Sequence, residues 1–154
     1  MLHHGWTSIR VAGDADQFYA HIDIQRAIDS GITHGPRMTC AGHYLSTTGG
    51  GGDIQLASEC QGCFCADGKV VDGPEEVRKA VREEIKYGSE WIKVLVTGAF
   101  MSSKDPKIVH FADDELRMMV SEAHRLGVKV MAHAHSAEGI KQALRVGITS
   151  VEHG

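Results

Sequence analysis

Two textures alternate along the chain. Short β-branched runs end in Gly, Ser, Thr or His; longer stretches carry apolar residues every three to four positions and close on glycine. The first pattern is that of a buried strand and the second that of an amphipathic helix. Strands are predicted over 6–13 (WTSIRVAG), 35–45, 91–98 (WIKVLVTG), 128–135 (VKVMAHAH) and 149–154, and helices over 17–31, 73–88, 111–127 and 137–147. The helix over 73–88 has the fullest signature: Pro74 near its start, Glu75 and Glu76 in the first turn, a Val77, Val81, Ile85 stripe, and Gly88 behind the last turn. WIKVLVTG is nearly continuous in apolar character, as expected of a parallel strand covered by helices. Its one interior charge is Lys93. Residues 46–73 are too polar and glycine-rich for a regular element and predict a long loop, functional or disordered.

Strict β/α alternation leaves two architectures. One is a five-stranded doubly wound sheet; the other is a piece of a (β/α) barrel whose first and last strands lie outside the sequence. The 154 residues fit one domain. The net charge of −4 and the scattered Lys and Arg exclude a nucleic-acid or anionic-membrane surface, so a small molecule is the expected partner. No apolar run has the length of a membrane span or a signal-peptide core, which predicts a soluble, cytoplasmic protein. Of the cysteines, Cys60, Cys63 and Cys65 cluster, but Cys40 falls in a predicted strand, so reduced thiols are expected rather than a zinc site or disulfides.

In either architecture the carboxyl ends of the strands build the ligand site. Here those ends are polar: TTGGGG with Gly50 and Gly51, Lys93 with Thr97 beyond it, His133 and His135, then His153. Neutral imidazole is a preferred zinc ligand, and a barrel rim gathers successive strand ends, so the set suits a divalent metal. Lys93 is the odd member, because a buried ammonium beside a cation has to be neutral, paired or chemically modified. Period-two alternation puts His133 and His135 on one face, with His133 the expected ligand and His135 a substrate-side neighbour, joined as expected substrate-binding residues by Gly50, Gly51 and Thr97. His110 and His124 read as surface residues. The glycine run could cradle a phosphate but lacks the Lys-Ser/Thr ending of a P-loop. The competing reading is a non-catalytic or nucleotide-binding five-stranded α/β domain with ordinary rim histidines.

These stretches, GWTSIRVAG, GPRMTCAGHYLSTTGGGGD, WIKVLVTGAFMS and EAHRLGVKVMAHAHSAEGIKQALRVGITSVEHG, resemble the amidohydrolase superfamily. The likeness is to the branch holding imidazolonepropionase-like, Xaa-Pro dipeptidase (prolidase)-like and arginine carboxypeptidase-like proteins. The resemblance implies a partial TIM-type (β/α)8 barrel, about barrel strands two to six. Residues 1–154 would form one incomplete catalytic domain, with barrel strand one, strands seven and eight and the accessory β domain absent. It further implies two divalent ions, usually zinc, bridged by a carboxylated Lys93, with His133 and His153 holding the second. A bridging water would attack the amide or peptide carbonyl of a dipeptide-like substrate, and the full-length enzyme admits a homo-oligomer.

The sequence also departs from that pattern. The first-strand His-x-His is missing, since His3-His4 has the wrong spacing, and so is the strand-eight aspartate. Gly51 stands where T-G-G-H-G-D has histidine, and Arg10-Val11-Ala12-Gly13 where R-D-x-G-G is usual. The chain alone is therefore expected to be inactive.

Overall fold

Even-numbered positions of the central strands pack against helices and odd-numbered ones face away, and this alternation organises the molecule. Ile92, Val94, Val96, Val130, Ala132 and Ala134 join one buried apolar cluster with Val77 and Val81, Leu116 and Met119, and Ala143 and Val146 from three successive helices. Lys93, Leu95, Met131 and His133 stand outside that cluster, on the opposite face. The computed structural model describes residues 1–14, 18–60, 68–100 and 105–154.

A 3-10 turn at Leu2–His4 leads into β1 (Ser8–Asp14), α1 (Ala20–Asp29), β2 (Arg37–Ser46), β3 (Lys69–Val70) and α2 (Gly73–Tyr87). Then come β4 (Trp91–Leu95), α3 (Asp113–Arg125), β5 (Lys129–Ala134), α4 (Ala137–Val146) and β6 (Ser150–His153). All pairings between these strands are parallel, in the order β1-β2-β4-β5-β6, with β3 beside the end of β2. The order never reverses, so there is no topological switch point and the doubly wound alternative is excluded. Helix α2 packs on α3 and α3 on α4, making a single outer layer over the sheet. Arg10 of β1 reaches Glu152 of β6 at 2.8 Å although three strands separate them, so the sheet curls into a half-barrel.

Local chemistry fixes the element ends. Glu115, itself buried, caps two helices at once: its carboxylate accepts from the Ala112 N–H at 2.7 Å ahead of α3 and from the Gly73 N–H at 2.6 Å at the start of α2. Ser136 Oγ accepts from the Gly139 N–H at 3.1 Å and opens α4. The first helix starts at Ala20, later than the expected 17, because Tyr19 takes a left-handed φ of 56° and its hydroxyl donates to Glu84. Phe18 and Tyr19 are thus outside the helix, while Gln17 lies outside the described residues. The long loop also contains β3, too short to leave a periodic signal. Cys40 is buried and Cys60 exposed, both free thiols; Cys63 and Cys65 lie outside the described residues. Burial, then the nearby Glu90 and Asp29, push the Cys40 thiol up to about 11, so it is a packed thiol rather than a reactive one. Among the described residues no helix is long and apolar enough to cross a membrane.

Candidate metal centre

Parallel pairing carries the polar strand ends to one rim. Lys93 sits beside Met131, Leu95 beside His133, His133 beside Glu152 and Ala134 beside His153. Strict alternation would send His153 outward with Val151, but a φ of 75° at His153 turns its ring back toward the concave side. The His133 and His153 ring centroids are 4.7 Å apart, and the His135 ring lies 4.3 Å from His133 and 5.2 Å from His153. All three imidazoles are together, and His133 and His135 share the face that alternation assigned to them.

Two rings sharing an ion through bonds of ~2.0–2.1 Å in a tetrahedral arrangement have centroids roughly 5 Å apart, so the observed spacing fits a shared divalent ion. Among the described residues no three His, Cys, Asp and Glu side chains converge on one point. The donor set is therefore two histidines plus Lys93, and it fits a metal only once the lysine carries an oxygen donor, because an ammonium has no lone pair to offer. Lys93 is only 4% exposed and, among the described residues, has no carboxylate within ion-pair distance. Burial is the main cause that lowers its pKa to about 8, with the Arg10 charge adding to it and Glu152 opposing.

His133 is oriented by its surroundings. A carbonyl only accepts, so the 2.9 Å contact with Gly98 O makes Nε2 the protonated nitrogen and leaves the Nδ1 lone pair free. The same carbonyl accepts from Thr97 Oγ1–H at 3.0 Å, and Thr97 Oγ1 in turn accepts the His135 N–H at 3.1 Å. Thr97 is fully buried. It lies beneath the rim and ties β4 to the start of the His135 turn, and a Cβ on Gly139 would overlap its methyl.

The glycine run folds onto this rim. A Cβ on Gly51 would come within 2.8 Å of Thr97 O, and one on Gly50 within 2.5 Å of Ser46 Oγ, so both positions are closed to larger residues. The loop uses its own amides: Gly49 N–H donates to Asp53, Gly50 N–H to Thr47 O, Gly52 N–H to Ser46 Oγ and Thr48 N–H to Asp72. A phosphate cradle needs those donors free. Sequence reasoning left Glu152 and Phe100 unassigned. Phe100 is 75% exposed, with its ring 4.5 Å from His135. An aromatic two residues beyond the end of the apolar strand WIKVLVTG was the available signal.

Burial, only partly offset by the Gly98 hydrogen bond, lowers His133 to about 4 from 6.5. Burial also lowers His153, and Lys93 and His135 push in the same direction. A depressed folded pKa means that the unfolded chain binds the proton first. The stability contribution is therefore complete above about pH 6.5 and is lost as the pH falls through about 4. The full difference for His133 amounts to about 3 kcal/mol. Urea unfolding of the metal-free protein should show its midpoint dropping across that window, with a flatter profile for His133→Leu. Equal profiles would refute the assignment.

The family model that matches is that of the Amidohydrolase family, over residues 1–154. Ochratoxinase of Aspergillus niger is 36% identical over 167 residues, which span 99% of this chain and 34% of that protein. A solved Xaa-Pro dipeptidase with methionine bound in its active site is 38% identical with a TM-score of 0.86, over 97% of this chain and 37% of that one. A prolidase complexed with N-methylphosphonate-L-proline is 38% identical with a TM-score of 0.84, over 100% of this chain and 38% of that one. The chain thus spans about a third of the length of the curated relatives it matches.

Proposed function

The chain belongs to the amidohydrolase family, and from that premise we propose that the protein containing it is a metal-dependent hydrolase of amide or peptide bonds, dipeptidase- or carboxypeptidase-like in its substrate. The observation that carries this reading is a buried lysine that has no carboxylate partner among the described residues, beside two histidines on the next two strand ends. The named activities of the relatives, ochratoxinase, Xaa-Pro dipeptidase and prolidase, support a carbon–nitrogen bond as the target.

Lys93, His133 and His153 are the proposed ligands of two divalent ions, zinc being the expected metal. When bound, those ions would polarise the amide carbonyl and activate the attacking water. The rest falls to the chain's own side chains. With a pKa of about 8, Lys93 leaves roughly a tenth of its amine neutral at pH 7. That neutral nitrogen forms a C–N bond to carbon dioxide and releases a proton, giving an anionic oxygen donor in place of an ammonium. Neutral His133, with Nε2 held by Gly98 O, keeps Nδ1 as the donor nitrogen. His135 and the Gly50–Gly51 turn line the substrate side, and Thr97, placed here beneath the rim, acts by holding His135.

The test is zinc content and turnover of the full-length protein on N-acyl amino acids and Xaa-Pro dipeptides. His133→Ala and His153→Ala should each lose about one zinc per chain and at least about a hundredfold in kcat/KM, the scale of several kcal/mol of metal assistance. Unchanged zinc in both variants would sink the ligand assignment. These 154 residues by themselves should show little or no turnover, and robust hydrolysis by them alone would refute that part.

A further inference from the structure

Arg10 leaves β1, crosses the concave face over the Trp91 ring at 5.0 Å and meets Glu152 of β6, Nη2 to Oε1 at 2.8 Å. The meeting is buttressed: Ser150 Oγ–H donates to the same Glu152 oxygen at 2.6 Å, and Arg10 Nη1–H reaches Ser150 Oγ at 3.5 Å. Glu152 is also the carboxylate whose charge acts on Lys93, and it sits beside His133 in the β5–β6 register. Lys93, buried without a carboxylate partner among the described residues, would gain most from pairing with it. An ammonium and a carboxylate on one concave face attract each other, and a free Glu152 could turn toward Lys93. Here the guanidinium, held over Trp91 and pre-organised by Ser150, has taken the carboxylate first.

We propose that Arg10 is a positioning residue that holds the Glu152 carboxylate away from the Lys93 amine, and so reserves Lys93 as a metal donor. The inference rests on the reading of Lys93 given above. It separates two roles for one ion pair. If the pair served only as a strap between β1 and β6, removing either partner would do the same damage. If it serves to occupy Glu152, removing Arg10 does harm, removing Glu152 does not, and removing both is harmless.

The experiment compares the full-length protein with Arg10→Gln, Glu152→Gln and the double variant, each loaded with zinc and labelled with 13C-bicarbonate. The readouts are zinc per chain and the carbamate carbon signal, with melting temperature as the folding control. Arg10→Gln should lose at least about fivefold in carbamate signal and most of the zinc. Glu152→Gln and the double variant should keep both within about twofold of the unsubstituted protein. Retention in Arg10→Gln overturns the proposal, as does loss in Glu152→Gln or failure of the double variant to recover. If Arg10→Gln does not fold, the last two comparisons still decide. An unsubstituted protein without zinc or carbamate would overturn the metal reading itself, an outcome distinct from these.

Discussion

Lys93→Met is expected to make the metal-free protein more stable while abolishing the hydrolytic activity proposed for the full-length protein. The side chain is 4% exposed and, among the described residues, has no carboxylate within ion-pair distance, so at neutral pH the fold carries a buried and mostly charged amine. Its pKa of about 8 against an ordinary 10.5 corresponds to about 3 kcal/mol of unfavourable free energy at pH 7. Because the folded pKa is depressed, that cost falls away only as the pH rises from about 8 toward 10.5. Methionine fills a similar volume without the charge, so the urea midpoint of the metal-free variant should rise by an amount worth about 2–3 kcal/mol at pH 7 and show no gain near pH 10.5. Activity should move the other way. If Lys93 holds both ions as proposed, its loss would remove several kcal/mol of transition-state stabilisation, about a thousandfold or more in kcat/KM. A residue that costs stability where it stands and is required for turnover marks a functional site. A variant that is less stable and fully active would overturn the assignment.

That contrast was partly legible in the sequence. Lys93 breaks an apolar run in WIKVLVTG, and His133 and His135 keep period-two spacing after another, so local pattern alone put them on one rim. The helices were legible for the same reason, since Val77 and Val81 carry their own periodicity. The elements that escaped are those decided by distant partners. The late start of α1 depends on Tyr19 meeting Glu84, 65 residues on. The inward turn of His153 depends on one backbone angle at a strand end. Arg10 read as a motif residue at the end of a strand, and its partner Glu152 lies 142 residues away. Barrel curvature creates such pairs, and no window along the chain contains them.

Glu84 supplies the opposite case to Lys93. The helix stripe read from the sequence was apolar, yet Glu84 of α2 is 1% exposed. Its carboxylate accepts the Tyr19 hydroxyl at 2.9 Å and the His43 N–H at 2.8 Å, meets His43 Nδ1 at 3.2 Å, and has Lys69 Nζ at 3.7 Å. Burial, then Glu84 itself, hold the Tyr19 phenol well above its ordinary range. Gly42 leaves the space for this carboxylate, since a Cβ there would overlap it. The network braces β2 where its register with β4 shifts between Ala41 and Tyr44, just before the Tyr44 ring packs under Gly52. Glu84→Ala would remove the acceptor of the Tyr19 hydroxyl and of the His43 N–H and open a cavity, at a cost of about 3–5 kcal/mol, while Lys69 keeps its closer partner Glu83 at 2.7 Å. Glu84→Gln keeps the shape and an acceptor and should lose about half as much. Both substitutions lie on the helix side of the sheet, so zinc bound per folded molecule should stay constant while the urea midpoint falls. Glu84 and Lys93 thus predict stability changes of opposite sign, because Glu84 has its partners in the fold and Lys93, on the reading proposed above, is kept for a ligand. A Glu84→Ala protein as stable as the original would show that the carboxylate is not what joins α1, α2 and β2.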